Sequence, residues 1–185
     1  MTREQDLLHA MAQVEAASNS LHTTSWVWGG LIADIYQGFF LRDHHDIDYL
    51  TRDLIKMQQS LTEAFQELGW QIQQLVNGDL KLSKGQIEVQ LGNVTFAGEA
   101  CWTHNGKLGS IFFPASWLRV ESMKFYKFEI HAAEPELQYA LLSQPQLLNP
   151  DWAPREKDRT ALSYLRSLLE AKKARLDDLK NLIHA

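Results

Sequence analysis

The sequence predicts an α+β fold with a helical C-terminal part. Three observations support this prediction: helices and strands alternate in the first third of the chain, a block of strand-like segments follows, and helical periodicity returns after Pro135. Such segregation of strands and helices is typical of α+β domains. With 185 residues, of which 45% are hydrophobic and 22% charged, the chain has the length and composition of an ordinary globular domain.

The first third of the chain is predicted to alternate between helices and strands. Thr2 and Gln5 have the spacing of a capping box before a helix. SWVW is typical of a buried strand, and LIADIYQG of a short helix that ends at Gly38. DIDYL predicts the next strand. RDLIKMQQSLTEAFQELG predicts an amphipathic helix, whose inward residues are Leu54, Leu61, Phe65 and Leu68.

The middle of the chain is predicted to consist of strands. WQIQQLV, LKLS and QIEVQL follow one another, and QIEVQL alternates between apolar and polar residues. Asn105-Gly106 lies between two apolar runs, which is a strong signal for a β-hairpin. MKFYKFEIHA predicts one last strand.

The C-terminal part is predicted to be helical. Pro135 suits the first position of a helix in PELQYALLS, and a proline-interrupted loop leads to a long helix from about Arg155. The apolar stripe of that helix, which is also compatible with a homodimer, consists of Leu162, Leu165, Leu169, Leu176, Leu179 and Ile183. We therefore expect a core at residues 1–130 and a helical C-terminal region at residues 131–185 that packs on it.

Charge and cysteine content narrow the class of protein. The net charge of −5 argues against a nucleic-acid partner, because basic residues that contact phosphates supply most of that affinity. The single cysteine, Cys101, excludes an internal disulfide and a four-thiolate zinc site. No signal-like segment opens the chain and no apolar run approaches the ~18 residues of a membrane span. We expect a cytoplasmic protein without a membrane partner.

Three carboxylates are the candidate metal ligands. Asp46 and Asp48 are two residues apart on a predicted strand, so their side chains project from the same face. Glu88 lies on the polar face of another predicted strand. If the two strands are neighbours, three negative charges converge and require a divalent cation. This cluster predicts Mg²⁺, and two such ions are the known device for nucleotidyl displacement.

A glycine pair stands upstream of these acids. Gly29 and Gly30 end a predicted strand immediately before a helix. Glycine lets backbone amides approach a phosphate closely, and a helix N-terminus favours negative charge. A phosphate cradle and a metal site are therefore predicted within one α-β unit.

The segment VWGGLIADIYQGFFLRDHHDIDYLT resembles the minimal nucleotidyltransferases of the polymerase-β-like superfamily, in particular the branch of aminoglycoside and lincosamide nucleotidyltransferases. The residues that carry the resemblance are Gly29, Gly30, Asp34, Gly38, Arg42, His44, Asp46 and Asp48. PREKDRTALSYLRSLL is similar to the family's lysine-aspartate motif, at Lys157 and Asp158. The resemblance implies a mixed sheet flanked by helices, and a metal-dependent nucleotidyltransferase.

The resemblance also implies how a nucleoside triphosphate would be handled. Asp46 and Asp48 would hold Mg²⁺ at the phosphates, and Glu88 would be a further metal ligand or the general base for an acceptor hydroxyl. A nucleoside monophosphate would move from the triphosphate to a small hydroxylated molecule, such as an aminoglycoside or lincosamide antibiotic, with release of pyrophosphate.

The remaining implied roles concern the phosphates themselves. Gly29 and Gly30 would donate backbone N–H groups to them. Arg42 and Lys157 would neutralise the triphosphate charge, although both could instead be structural ion-pair partners.

Several alternatives remain open. The aspartates and Glu88 could be solvent-facing residues of alternating strands. His45-Asp46 resembles the dyad of HD-type phosphohydrolases, but that fold is helical, so we expect His44 to brace the loop before the strand and His45 to be exposed. A toxin-type nucleotidyltransferase that modifies tRNA or protein, and a binding protein that keeps the fold without turnover, are the alternative functions.

Overall fold

A mixed β-sheet with flanking helices forms the core of the protein. The computed structural model describes residues 2–105, 109–147, 151, 153–172 and 174–183. The strands are β1 (Ser25–Trp28), β2 (Asp46–Arg52), β3 (Gln71–Gln74), β4 (Leu80–Lys84), β5 (Ile87–Ala97), β6 (Ala100–Asn105), β7 (Gly109–Pro114), β8 (Met123–Phe125) and β9 (Phe128–Ile130). The α-helices are α1 (Arg3–Ser20), α2 (Ile32–Gln37), α3 (Leu54–Glu67), α4 (Pro135–Ser143), α5 (Glu156–Ala171) and α6 (Leu176–Asn181).

Seven of the described strands belong to one sheet. Its main path runs β1-β2-β5-β4-β3, while β6 pairs with β5 and β7 pairs with β6. β2 and β5 are parallel, and every other pair in the sheet is antiparallel. The connection from β2 to β5 passes through α3, as a parallel pair requires a long crossover. β2 therefore lies in the interior of the sheet, between β1 and β5.

One face of the sheet is covered by α1 and α3, which contact β5 and each other. Ile47 and Tyr49 of β2, together with Val89 and Leu91 of β5, are fully buried. Burial of each such side chain contributes about 1.5–3 kcal/mol to folding. Because successive strand residues point to opposite faces, this burial directs Asp46, Asp48 and Glu88 to the other face.

The helix boundaries follow from local signals, most of which the sequence predicts. The Thr2 hydroxyl accepts from the Gln5 N–H at 3.3 Å and the Gln5 side chain accepts from the Thr2 N–H at 3.0 Å, which confirms the capping box. Pro135 is at the start of α4. Gly38 ends α2 in the left-handed conformation, at φ +90°.

The C-terminal helices pack on the core through α4. All residues of α4 from Leu137 to Leu142 are buried, and α4 contacts α2, α5 and α6. Glu134, just before α4, accepts from the Tyr36 hydroxyl at 3.0 Å and pairs with Arg119 at 3.0 Å and Lys172 at 3.7 Å. These contacts join α2, the loop after β7 and the end of α5.

The division into regions at residue 130 stays a prediction. None of the described helices is long and apolar enough to cross a membrane.

Two predicted elements are wrong. MKFYKFEIHA is a hairpin of β8 and β9 rather than one strand, because the chain turns at Tyr126, whose φ is +53°. The long final helix is divided into α5 and α6, and the break lets the Gln144 side chain donate to the Lys180 carbonyl at 2.7 Å. Both parts of the stripe still bury leucines, namely Leu165, Leu169 and Leu179.

Smaller differences concern single residues. Leu68 was expected to face inward in α3 but is 37% exposed, because the helix ends there and Gly69 turns the chain at φ +80°. The pairing of β6 with β7 confirms the predicted hairpin, whereas its turn at Gly106 lies outside the described residues.

Candidate active site

A cleft of about 260 Å³ opens between the polar face of the sheet and the C-terminal helices. One side of it, the core wall, consists of Trp28, Gly29, Gly30, Arg42, Asp46 and Asp48. The other side, the helical wall, consists of Gln138, Leu141, Leu142, Arg155, Lys157 and Asp158. Six of the seven predicted site residues line this one cleft.

The two aspartates share the face of β2 that looks into the cleft. Asp48 stands opposite Trp28 of β1 and Gln90 of β5, and Asp46 stands opposite Glu88. Burial, followed by the negative charge of Asp46, raises the pKa of Asp48 to about 6, whereas the charge of Lys157 acts in the opposite direction. The raised pKa means that the protein disfavours the charged form of Asp48, mainly because burial removes the carboxylate from water.

Glu88 is on the predicted face but is turned to another partner. Its carboxylate pairs with Lys81 of β4 at 2.9 Å, and both side chains are more than one third exposed. Among the described residues, no group of three or more His, Cys, Asp or Glu side chains is arranged so that it could hold a metal ion. The three-carboxylate site therefore stays a prediction, whereas the pairing of Asp46 with Glu88 across β2 and β5 is observed.

Glycine is required at position 29 for two reasons. Its φ of +71° is in the region that side chains rarely adopt, and a Cβ there would lie 2.8 Å from the Asp48 Oδ2 atom. The backbone turn after β1 thus packs directly against the aspartate. At Gly30 a Cβ would lie 2.8 Å from an Nη atom of Arg42, so the guanidinium covers the second glycine. Asp48 therefore packs against the first glycine and Arg42 against the second.

A buried pair supports the loop between α2 and β2. The Asp34 carboxylate accepts from the Leu41 N–H at 2.6 Å and contacts the His44 Nε2 atom at 3.1 Å. Both side chains of this pair are almost fully buried. His44 therefore braces the loop as expected. His45 is exposed and contacts the Arg3 guanidinium, so the two adjacent histidines do not face one ligand.

The helical wall supplies cations from the start of α5. Arg155 caps this helix, where its backbone N–H and its guanidinium both donate to the Asp158 carboxylate at 2.8–3.0 Å. Lys157 is exposed and lines both the main cleft and a neighbouring recess of about 310 Å³. Arg42 from the core wall also lines both cavities. Positive charge from two separate regions of the chain, at Arg42 and at Lys157, therefore lines both cavities.

Several residues of the helical wall were not predicted, namely Gln138, Leu141, Leu142 and Arg155. A polar residue inside the apolar segment PELQYALLS is the one signal that could have singled out Gln138. Trp28 of the core wall was predicted only as a strand residue.

The sheet order and the cleft define a nucleotidyltransferase fold. Residues 10–140 match the family model described as aminoglycoside-2''-adenylyltransferase. The chain belongs to this family, and it is a nucleotidyltransferase, as the resemblance implied. The match covers the whole core wall and, in the helical wall, extends as far as α4.

Solved structures support the same fold. The solution structure of the antibiotic-resistance factor ANT(2'')-Ia has a TM-score of 0.72 at 16% identity and aligns over 96% of this chain and 91% of that one. The crystal structure of ANT(2'')-Ia in complex with adenylyl-2''-tobramycin has a TM-score of 0.71 at 18% identity, over 97% and 96%. Lincomycin-bound LnuA, a lincosamide antibiotic adenylyltransferase, has a TM-score of 0.65 at 17% identity, over 89% and 97%. No curated protein sequence matches the chain at a significant level.

Proposed function

We propose that the protein transfers a nucleoside monophosphate from a nucleoside triphosphate to a hydroxyl of a small antibiotic-like molecule, in a Mg²⁺-dependent reaction. The observation that carries the proposal is the contact between Asp48 and the glycine turn within the cleft that also contains Asp46. This contact holds a carboxylate pair beside backbone groups that suit phosphates. The solved neighbours act on aminoglycoside and lincosamide antibiotics, which have hydroxyl groups.

The residues present fit a magnesium ion. Asp46 and Asp48 offer carboxylate oxygens, which are the ligands that Mg²⁺ prefers. Burial and the charge of Asp46 raise the pKa of Asp48, and a divalent cation bound there would favour its charged form. Bound there, Mg²⁺ would neutralise charge on the phosphates during displacement. Glu88 would be a third ligand, and a second ion belongs to the same proposal.

The chain's own residues would bind and orient the triphosphate. Gly29 and Gly30 have no side chains of their own to exclude the phosphates, and the Arg42 guanidinium that covers Gly30 would be in place to bind them. Arg42 and Lys157 would stabilise the negative charge from opposite walls of the cleft, where such donors act on charge that develops as the bond breaks. An acceptor hydroxyl oxygen would then attack the α-phosphorus, and the bond to the pyrophosphate oxygen would break.

Glu88 would take the proton of the acceptor hydroxyl, or complete the metal site. For either role its carboxylate must leave Lys81. Exposed ion pairs of this kind contribute only about 0–1 kcal/mol, so a cation or a substrate hydroxyl can replace Lys81 at little cost.

Charge supports an aminoglycoside over a lincosamide as the acceptor. Aminoglycosides carry several amino groups and are polycations near neutral pH, and the net charge of −5 attracts a cationic molecule. The same negative net charge disfavours tRNA, the acceptor of the toxin-type alternative.

The proposal is tested by pyrophosphate release from ATP and the other nucleoside triphosphates with a panel of aminoglycosides and lincosamides. Asp46→Asn and Asp48→Asn should each reduce turnover by about 10³-fold or more, because a charged group that stabilises the transition state is lost. Asp53→Asn is the matched control: Asp53 follows β2 directly, its side chain is about half exposed, and among the described residues that side chain pairs only with Lys56. Pyrophosphate release that persists in both aspartate variants, or in the absence of divalent cations, would contradict the proposal.

A further inference from the structure

Gln138 is a buried polar residue on a helix face that is otherwise apolar. It is 7% exposed and lies between Leu137 and Tyr139, which are each 1% exposed. Its neighbours on the same side of α4, three and four residues later, are Leu141 and Leu142. A leucine or methionine at this position would suit the packing equally well, so packing does not explain the glutamine.

The oxygen of the Gln138 carboxamide is unsatisfied among the residues that the structure describes. This atom, Oε1, is buried and has no hydrogen-bond partner in the described part of the chain. Leaving a buried acceptor unsatisfied costs about 1–3 kcal/mol, and buried polar groups in proteins are almost always paired. The residue lines the cleft opposite Asp46 and Asp48. A ligand in the cleft is therefore the natural partner of this oxygen.

The surroundings of Gln138 indicate which part of a ligand it meets. The cations of the cleft, Arg42 and Lys157, lie beside the glycine turn and at the start of α5, whereas α4 contributes one amide and two leucines. Phosphate oxygens are hydrogen-bond acceptors and do not pair with an amide oxygen. A sugar ring suits this surface, because its hydroxyls donate and its C–H face packs on leucine.

We infer that Gln138 accepts a hydrogen bond from a sugar hydroxyl of the substrate and thereby selects substrates that carry this hydroxyl. The inference rests on the proposed function and adds a specificity-determining residue to the same site. The hydroxyl belongs either to the ribose of the nucleotide or to a sugar of the acceptor. Both have the same donor chemistry, and the experiment distinguishes them.

The test combines Gln138→Met with substrates that lack single hydroxyls. Calorimetric affinities and KM values are measured for ATP, 2'-deoxyATP and 3'-deoxyATP, and for acceptor pairs that differ by one hydroxyl. In the unmodified protein, loss of the contacted hydroxyl should weaken binding about 10-fold, and in Gln138→Met this penalty should disappear. The melting temperature of Gln138→Met should rise, because the unsatisfied oxygen is removed. If the penalty disappears among the ATP analogues, the hydroxyl belongs to the ribose of the nucleotide. If it disappears among the acceptor pairs, the hydroxyl belongs to a sugar of the acceptor.

Gln144→Met is the matched control. Gln144 is at the end of the same helix, outside the cleft, and donates to the Lys180 carbonyl. This variant should lose stability while keeping every substrate preference. Gln138→Glu retains an acceptor oxygen and should keep the hydroxyl penalty even if nucleotide affinity falls through repulsion by the aspartates. If Gln138→Met does not fold, Gln138→Leu removes the same acceptor oxygen and should likewise abolish the penalty.

The outcomes separate this inference from the proposed function. The inference is overturned if each hydroxyl penalty is the same in Gln138→Met and in the unmodified protein. It is also overturned if the penalty that disappears is the one between ATP and ITP, because Gln138 would then contact the exocyclic amine of the base. Loss of turnover in Asp48→Asn with an unchanged hydroxyl pattern in Gln138→Met would leave the proposed function intact and reject the role of Gln138. Because affinity is measured directly, a protein without turnover still tests the contact.

Discussion

The two walls of the cleft are held in place by different kinds of interaction. The core wall is fixed by close contacts: Gly29 packs on Asp48, and the buried pair of Asp34 and His44 supports the loop that leads to β2. The helical wall presents exposed cations at the start of α5, held by a surface ion pair between Arg155 and Asp158. Reacting groups must be held in position, so even a small displacement of the core wall should reduce turnover. Exposed charges act over a distance, so a displacement of the helical wall should matter less.

Among substitutions that leave the two aspartates unchanged, the largest effect is expected from Gly29→Ala in the core wall. The new Cβ would meet the Asp48 carboxylate at 2.8 Å, and the φ of +71° adds strain of about 1–3 kcal/mol. We expect turnover to fall about 100-fold, because a displacement of about 1 Å at reacting groups has this effect. Urea unfolding measures the loss of stability, and pyrophosphate release measures the loss of turnover.

Gly38→Ala separates strain from the clash. Gly38 has a φ of +90°, and a Cβ there would meet nothing within 4 Å. The substitution should therefore destabilise the protein by a similar amount and leave turnover within about twofold, since its strain stays local. Equal losses of turnover in the two variants would show that the contact with Asp48 is not what matters.

A smaller effect is expected from Lys157→Met in the helical wall. Loss of one charged contact to phosphate should raise the KM for nucleotide about 10-fold and change kcat less, because the contact also exists in the bound ground state. The effect should decline as ionic strength increases, since Lys157 is exposed. Lys180→Met is the matched control, because Lys180 is a partly exposed lysine of α6 outside the cleft. A change in kcat alone would instead show that Lys157 acts mainly in the transition state, as we expect of the groups in the core wall.

The smallest effect is expected outside the cleft, at the junction where α1 contacts the segment between β9 and α4. Glu15 of α1 accepts from the backbone N–H of His131 at 2.8 Å and contacts its Nδ1 atom at 3.0 Å. The hydrogen bond with Glu15 raises the pKa of His131 above its ordinary value. A raised histidine pKa adds stability that is fully present below about pH 6.5 and is lost as the pH rises through the raised pKa.

Glu15→Gln measures this contribution, because an amide can still accept from the His131 backbone without carrying a charge. The difference in free energy of unfolding between the two proteins should be larger at pH 5.5 than at pH 9, because His131 is charged only at the lower pH. Urea titrations across this range provide the measurement. A difference that does not change with pH would show that the charge on His131 contributes nothing at the junction.

The core wall was predictable because its residues are close together in the sequence. The alternation of Asp46 and Asp48 with buried Ile47 and Tyr49 determines the face of β2, whatever its neighbours are. Glu88 was assigned to the correct face for the same reason. Its pairing with Lys81 was not predictable, because it depends on β4 being the next strand in the sheet.

The helical wall was harder to predict. Lys157 was identified only through a family motif. The inner face of α4 could not be read from periodicity, since the helix is buried on nearly all sides and has no polar stripe to mark its outer face. The break between α5 and α6 also escaped prediction, because the leucine spacing alone does not show where a helix turns back on its neighbours.

The sequence by itself determined which groups are available: the carboxylate pair, the glycine turn and the cations. These follow from local geometry, in which a strand alternates its side chains and glycine permits a backbone that other residues avoid. Only the tertiary structure decided that α4 and α5 lie across the cleft from that pair, and that the Gln138 Oε1 atom has no hydrogen-bond partner there among the described residues. The reason is that contacts between distant segments depend on how buried surfaces pack together, which no short stretch of residues specifies.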